Sequence, residues 1–133
     1  MSASDEGSGG VLLDDATVHR LARHWQDGWN RGDLETIMAP FAQDVIFSSP
    51  GISMLSGDPA KTTIEGYDAL RAYLEGALSL SRGVRYSLDA TYVGTDSVVL
   101  VYDCGLPDGD QKRGADLMRV GPDGKVVEWR CHY

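Results

Sequence analysis

The stretch GADLMRVGPDGKVVEWRCHY, residues 114–133, has the pattern of two β-strands joined by a tight turn at Pro122–Gly124. Alternate side chains of a strand share a face, so Asp116 is predicted to lie on the same face as Met118 and Val120. An ionised carboxylate on an apolar face costs free energy unless it is paired, solvated through a pocket or protonated. Asp116 is therefore the residue of this hairpin that most needs an explanation.

The segments before this hairpin continue the strand pattern. Residues 84–93 alternate apolar and polar side chains, which predicts one face made of Val84, Tyr86, Leu88, Ala90 and Tyr92. A turn at 94–96 leads into SVVLVYDC, residues 97–104, and a first Pro-Asp-Gly turn follows at 107–109. The C-terminal half thus predicts a four-stranded antiparallel meander.

The N-terminal half has helical spacing instead. Between Asp14 and Gly32 the apolar residues recur every three or four positions, which predicts one apolar helix face formed by Val18, Leu21, Ala22, Trp25 and Trp29. A second short helix is predicted over LETIMAPF, residues 34–41, after Asp33 as its N-cap. A third is predicted over about Tyr67–Leu80.

Two segments lie between the second and third predicted helices. Residues 45–47 form a short β-type run that ends at Ser-Pro-Gly. Residues 51–64 are predicted to be irregular, although Ile52, Met54 and Leu55 give them enough apolar surface to cover another part of the molecule.

The order helix, helix, strand, helix, meander predicts an α+β fold, in which three N-terminal helices pack on one face of a curved, mainly antiparallel (mixed) β-sheet. This cone-shaped arrangement would enclose a pocket between helices and sheet. The chain has 133 residues, enough for one domain, predicted over 11–133. The Ser- and Gly-rich residues 1–10 are predicted to form a disordered tail.

Composition restricts the partners. The formal net charge of −8 and the scattered basic residues argue against nucleic acid and anionic membranes as partners. The N-terminus has the pattern of neither a secretory signal nor a membrane anchor, which predicts a cytoplasmic protein. Cys104 and Cys131 are predicted to be reduced core thiols, and the spacing of the His residues predicts no metal site.

Three motifs in this order resemble the nuclear transport factor two-like superfamily, in particular its SnoaL-like and ketosteroid isomerase-like members. The motifs are HWQDGWNRGDLETIMAPFAQDVIFSSPG (24–51), IEGYDALRAYL (64–74) and the C-terminal hairpin (114–133), and the resemblance extends over about 14–133. It implies a cystatin-like, ketosteroid isomerase-like cone, an apolar small-molecule ligand, no cofactor and a homodimer.

The resemblance also assigns site residues. Asp116 occupies the place of an oxyanion-hole carboxylic acid, which apolar surroundings keep neutral so that it can donate a hydrogen bond. Ser49 stands where the family has its general base, and Trp25 where it has a tyrosine. The predicted site is Asp116 as catalytic residue, with Trp25, Phe47, Ser49, Met118, Trp129 and Tyr133 binding the substrate. The C-terminal strand is expected to direct Val127, Trp129, Cys131 and Tyr133 to the pocket.

Three functions fit this pattern. The first is a cofactor-independent isomerase, cyclase or dehydratase that acts on an apolar cyclic or polyketide-like substrate through Asp116. Steroid isomerisation itself is disfavoured, because a serine without a partner is not a competent base. The second is a non-catalytic ligand-binding or dimerisation module, and the third a protein-interaction domain that uses the acidic exterior.

Overall fold

Four helices and six strands follow one another in residues 13–133, the part of the chain described by the structure, a computed structural model. The helices are α1 (Asp15–Arg31), α2 (Leu34–Met38), α3 (Pro50–Ser56) and α4 (Tyr67–Leu80). The strands are β1 (Phe41–Ser48), β2 (Thr63–Glu65), β3 (Arg85–Val93), β4 (Ser97–Gly105), β5 (Gln111–Val120) and β6 (Val126–His132). The tail predicted over 1–10 lies outside the described residues.

The strands form one open sheet in the order β2-β1-β6-β5-β4-β3. Strands β3 to β6 pair antiparallel with their sequence neighbours, which confirms the predicted meander. Strand β1 pairs parallel to β6, and β2 pairs antiparallel to β1. The predicted α+β class is confirmed, with a mixed sheet covered by helices on one face.

Helix α1 begins and ends with the predicted capping residues. The Asp14 side chain accepts a hydrogen bond from the Thr17 amide at 2.7 Å, and Gly32 ends the helix with φ = 65°. Leu21 and Trp25 are buried on the face that packs towards the sheet. This cap and this face place Trp25 over the inner side of the meander.

The helix predictions fail in two places. The second helix ends at Met38 rather than at residue 41, and Phe41 already belongs to β1, since Pro40 provides no amide donor for a further turn. Residues 51–64 are not irregular throughout, because they contain most of α3 and the first two residues of β2. Ser49 caps α3 by accepting a hydrogen bond from the Gly51 amide.

Two β-bulges change the predicted faces. The pairing of β3 with β4 shifts register between Leu88 and Ala90, which reverses the alternation and leaves Tyr92 64% exposed. The pairing of β5 with β6 shifts between Arg119 and Val120. As a result Val126, and not Val127, is buried on the inner face.

The core lies between the helices and the inner face of the sheet. Met38, Val45, Leu70, Val98, Leu100 and Val126 are among its fully buried residues. Within residues 13–133, no helix has the length and apolar character needed to cross a membrane. Asp116 and Ser49 are the two buried polar residues in this part of the chain.

Candidate functional site

A cavity of about 480 Å³ opens between α1, α4 and the inner face of the meander. Most of its wall is apolar and aromatic. The lining residues include Trp25, Trp29, Phe47, Ser49, Met54, Tyr73, Leu74, Tyr86, Tyr102, Cys104, Lys112, Asp116, Trp129, Cys131 and Tyr133. Such a wall favours a planar or cyclic apolar ligand, with a few polar groups to orient it.

Asp116 is the central polar group of this wall and is only 1% exposed. Its Oδ2 accepts hydrogen bonds from the indole N–H groups of Trp25 at 2.9 Å and Trp129 at 3.0 Å. Its Oδ1 accepts a hydrogen bond from the Tyr102 hydroxyl at 2.9 Å. Three directed donors thus compensate the carboxyl group for the loss of water.

The chemistry of these donors distinguishes the two carboxyl oxygens. An indole N–H can only donate, so two donors occupy both lone-pair positions of Oδ2. When Asp116 is neutral, its proton therefore resides on Oδ1, on the side of Tyr102. Burial raises the pKa of Asp116, and the hydrogen bonds from Trp129, Tyr102, Cys131 and Trp25 lower it by less.

Tyr102 is a site residue that the sequence interpretation missed. Its ring packs on Trp25, with 4.4 Å between ring centroids, and it lies opposite Gly114 on the neighbouring strand. A Cβ at Gly114 would lie 2.6 Å from the Tyr102 ring, so this close approach requires glycine. Burial and the nearby Asp116 charge raise the pKa of Tyr102, which keeps its hydroxyl protonated.

A second polar cluster lies at Ser49. The Ser49 and Tyr133 hydroxyls are 2.7 Å apart, and the Gly51 amide donates to Ser49 Oγ at 3.1 Å. The Tyr73 hydroxyl lies beside Ser49 Oγ over Gly51. Burial raises the pKa of Tyr73 to about 12, and a hydrogen bond with Ser49 opposes this increase. We call Ser49, Tyr73 and Tyr133 the hydroxyl cluster.

Both cysteines line the cavity as free thiols. Cys131 pairs with Asp116 across the strands, and burial and the Asp116 charge raise its pKa. Burial raises the pKa of Cys104 to about 11. Both groups therefore stay neutral near pH 7. Within residues 13–133, no group of three or more His, Cys, Asp or Glu side chains could hold a metal ion.

Most of the residues predicted for the site surround the same cavity. Asp116 shares it with Trp25, Phe47, Ser49, Trp129 and Tyr133. Met118 is not at the cavity: it is buried between Val98 and Trp129, further along β5, where core side chains fill the space. The indoles of Trp25 and Trp129 donate to Asp116, so their N–H groups do not face a ligand.

The raised pKa of Asp116 predicts a pH-dependent stability. The folded state holds the proton more tightly than the unfolded state, whose carboxyl titrates near the ordinary value of 3.8. As pH rises from this value towards the folded pKa, wild type should lose stability relative to Asp116→Asn by about 1.4 kcal/mol per pH unit. Urea unfolding of both proteins from pH 4 to 7 measures this difference. A difference that grows in favour of wild type as pH rises would show a lowered pKa instead.

Comparisons with known proteins agree with this architecture. The family model of the SnoaL-like domain matches residues 22–129. A SnoaL-like protein of unknown function from Burkholderia thailandensis is 30% identical, with a TM-score of 0.79 over 91% of this chain and 97% of that chain. No curated protein matches the sequence.

Two more distant solved structures are similar in fold alone. An NTF2-like protein of unknown function from Mesorhizobium loti is 23% identical, with a TM-score of 0.68 over 90% of this chain and 94% of that chain. The epoxide hydrolase/cyclase-like enzyme SalBIII, which has a role in pyran ring formation in the polyether salinomycin, is 18% identical. Its TM-score is 0.69 over 91% of this chain and 92% of that chain.

The family match extends from Ala22 in α1 to Trp129 in β6 and includes Asp116. The Burkholderia protein extends the similarity over nearly the whole of both chains. The chain belongs to the SnoaL-like domain family.

Proposed function

We propose that this protein is a cofactor-independent acid/base enzyme of the isomerase, cyclase or dehydratase kind, which acts on an apolar cyclic or polyketide-like substrate through Asp116. The observation that carries the proposal is a buried carboxyl group in the wall of an apolar cavity. The fold shared with SalBIII, an epoxide hydrolase/cyclase-like enzyme, is consistent with ring-forming chemistry among these reactions.

The hydrogen bonds at Asp116 favour the role of a base. Two donors occupy Oδ2, whereas Oδ1 accepts from Tyr102, and the one other donor beside the carboxyl among the described residues is the Cys131 thiol, whose S–H group is a weak donor that a ligand can displace. A carboxylate oxygen has two lone-pair positions, so Oδ1 has one left for a proton of the ligand. Burial raises the pKa of Asp116, which makes its carboxylate a stronger base near neutral pH.

The proposed step starts from a carbonyl compound with a hydrogen on the adjacent carbon. The C–H proton passes to Asp116 Oδ1, the electron pair of that bond forms a C=C bond, and the carbonyl π electrons move to oxygen. The neutral Asp116 then returns the proton, to the same carbon or to another one in an isomerisation. No electrons enter or leave the system, so the step needs no redox partner.

A model ketone tests this function without knowledge of the natural substrate. We use 2-tetralone, an apolar bicyclic ketone with acidic hydrogens next to its carbonyl, and follow deuterium uptake in D₂O by ¹H NMR. Wild type should accelerate the exchange above the buffer rate. Binding of 2-tetralone with no acceleration would contradict the enzyme proposal.

A second function has its own supporting observation. Three side-chain donors hold the Asp116 carboxyl, which is also how a purely structural buried carboxylate is satisfied. The alternative is therefore a non-catalytic ligand-binding module. It predicts that Asp116→Asn binds 2-tetralone as wild type does and that neither protein exchanges its hydrogens.

The outer face of the sheet supports a homodimer as a further part of the proposal. Val99 lies opposite Leu117, and Val101 opposite Ala115, to form a partly buried apolar strip. Ion pairs flank the strip: Arg113 with Asp103 and Asp89 at one end, and Arg119 with Asp96 and Glu128 at the other. An apolar centre with a charged rim is typical of a protein interface.

The substitution Leu117→Lys tests the dimer, because two copies would bring two ammonium groups into the apolar strip. Wild type should have twice the 14.4 kDa chain mass in size-exclusion chromatography with light scattering, and Leu117→Lys should have the single-chain mass. Gln43→Lys, an exposed position on β1, is the control for added charge. A monomeric wild type, or a dimeric Leu117→Lys, would contradict this interface.

A further inference from the structure

We infer that the hydroxyl cluster is a second polar subsite of the cavity, which binds the carbonyl oxygen of the ligand and stabilises the negative charge that forms on it. This inference rests on the proposed function, since the oxygen belongs to the carbonyl whose neighbouring proton Asp116 removes. It adds a requirement for the substrate: an apolar ring system whose carbonyl oxygen points to the hydroxyl cluster while the neighbouring C–H points to Asp116.

The geometry of the cluster brings its hydroxyls together over one glycine. A Cβ at Gly51 would lie 2.7 Å from the Tyr73 hydroxyl, 3.0 Å from the Tyr133 hydroxyl and 3.5 Å from Ser49 Oγ. The absence of a side chain at Gly51 therefore lets three hydroxyl groups approach one another. All three belong to residues that line the cavity.

The hydroxyl cluster has more O–H protons than its internal hydrogen bonds use. Three hydroxyls carry three protons. The bond between Ser49 and Tyr133 uses one, and the contact between Tyr73 and Ser49 uses at most one more. The Gly51 amide occupies one of the two acceptor positions of Ser49, so only one tyrosine can donate to it. The proton of the other tyrosine stays available whether Ser49 donates to that tyrosine or to the Cys131 thiol. At least one O–H group can therefore donate to an acceptor in the cavity, such as a carbonyl oxygen.

The Asp116 end of the cavity has the opposite character. The Trp25 and Trp129 N–H groups and the Tyr102 hydroxyl all donate to the Asp116 carboxyl. In the ionised state, no donor of this group remains for a ligand, whereas an acceptor position does. The cavity thus offers an acceptor at Asp116 and a donor at the hydroxyl cluster. Trp29, another lining residue, has a buried indole N–H with no hydrogen-bond partner in the described part of the chain.

The strand register sets the spacing of these two ends. Asp116 pairs with Cys131, and Tyr133 follows two residues later on the same side of the chain. Diagonal neighbours of this kind are about 7–8 Å apart, and their Cβ atoms are somewhat closer. The carbonyl oxygen of a ketone and the carbon that loses its proton are two bonds apart, so a carbonyl oxygen bound at the hydroxyl cluster would present its neighbouring C–H towards Asp116.

The tyrosines of the cluster keep their protons at neutral pH. Burial raises the pKa of Tyr73 to about 12, and partial burial also raises the pKa of Tyr133, a residue that is 63% exposed. A neutral phenol that is already in place can donate to an enolate oxygen without reorganisation of solvent. Relative to the resemblance, the two ends exchange roles: Asp116 accepts the proton, and the side that contains Ser49 donates to oxygen.

The test uses 2-tetralone labelled with ¹³C at the carbonyl, together with tetralin, its hydrocarbon counterpart. Hydrogen bonding moves the carbonyl ¹³C resonance downfield. We expect this shift on binding to wild type and to Asp116→Asn, and a much smaller one for Tyr73→Phe/Tyr133→Phe. The double variant should bind 2-tetralone about five- to tenfold more weakly and tetralin within about twofold of wild type.

Controls separate this inference from the enzyme proposal. Tyr92→Phe makes the same chemical change at an exposed position and should leave both affinities unchanged. The single variants Tyr73→Phe and Tyr133→Phe serve if the double variant does not fold. An equal affinity of wild type for ketone and hydrocarbon would overturn the inference. A downfield shift of the carbonyl ¹³C resonance that is unchanged in Tyr73→Phe/Tyr133→Phe would also overturn the inference. If either outcome occurred and wild type still exchanged deuterium, the role of Asp116 as the base would stand without the hydroxyl subsite.

Discussion

Replacement of Asp116 by asparagine is expected to lower the rate of deuterium uptake into 2-tetralone by about 100- to 10,000-fold, the usual contribution of a positioned general base. The amide has nearly the same shape as the carboxyl group. Its oxygen can accept from Trp25 and Trp129, while its NH₂ group faces Tyr102, whose hydroxyl can turn to accept. The site is thus retained, but its base is removed.

Two measurements make this prediction specific. The affinity for 2-tetralone should change by less than about threefold, since the hydroxyl cluster and the apolar wall remain. Asp44→Asn, an exposed carboxylate on β1, is the matched control and should exchange deuterium at the wild-type rate. Exchange by Asp116→Asn within about threefold of wild type would exclude Asp116 as the base.

A leucine at position 116 should have a different effect, on folding. It would leave the N–H groups of Trp25 and Trp129 and the hydroxyl of Tyr102 without their acceptor. Each buried, unpaired donor costs about 1–3 kcal/mol, and costs within one network do not add fully. We expect Asp116→Leu to lower the free energy of unfolding by about 3–6 kcal/mol, measured by urea denaturation followed by circular dichroism.

The neighbouring Met118 provides the control for this measurement. It is buried on the same face of β5, and Met118→Leu conserves volume, so its cost should stay below about 1.5 kcal/mol. If Asp116→Leu were as stable as Met118→Leu, the hydrogen bonds of Trp25, Trp129 and Tyr102 to Asp116 would not contribute to the free energy of unfolding.

Much of the fold could be predicted because local signals agreed with the tertiary structure. The spacing of Leu21 and Trp25 and the caps at Asp14 and Gly32 locate α1. The alternation of β5 places Asp116 on the inner face. In these elements the apolar period and the turn residues indicate the same structure.

Helix α3 shows how one signal has two meanings. The Ser-Pro-Gly sequence at 49–51 predicts the end of a strand, yet a serine before a proline is also a favourable start of a helix. Gly57, which ends α3 with φ = 72°, was the further signal that could have decided between them. The β-bulges at Leu88–Ala90 and Arg119–Val120 had no comparable signal, because one extra residue depends on how two strands pair.

The chemistry of the site depended on contacts between distant segments. Trp25 and Asp116 are 91 residues apart, so sequence spacing could not show that the indole donates to the carboxyl. Tyr102 could have been found from its place on the inner face of β4, opposite a glycine. The sequence places Tyr73 on the apolar face of a predicted helix, which is the pattern of a core residue. Its hydroxyl contacts Gly51 of α3, a segment that the sequence does not predict to be helical.

The most direct test of the site is a ¹³C NMR titration of the Asp116 carboxyl carbon, assigned by its loss in Asp116→Asn. The proposed chemistry predicts a midpoint above the ordinary value of 3.8, because burial raises the pKa. It also predicts that bound 2-tetralone changes the chemical shift and midpoint of this carbon. An ordinary midpoint that does not respond to 2-tetralone would contradict an Asp116 that acts on a ligand in the cavity.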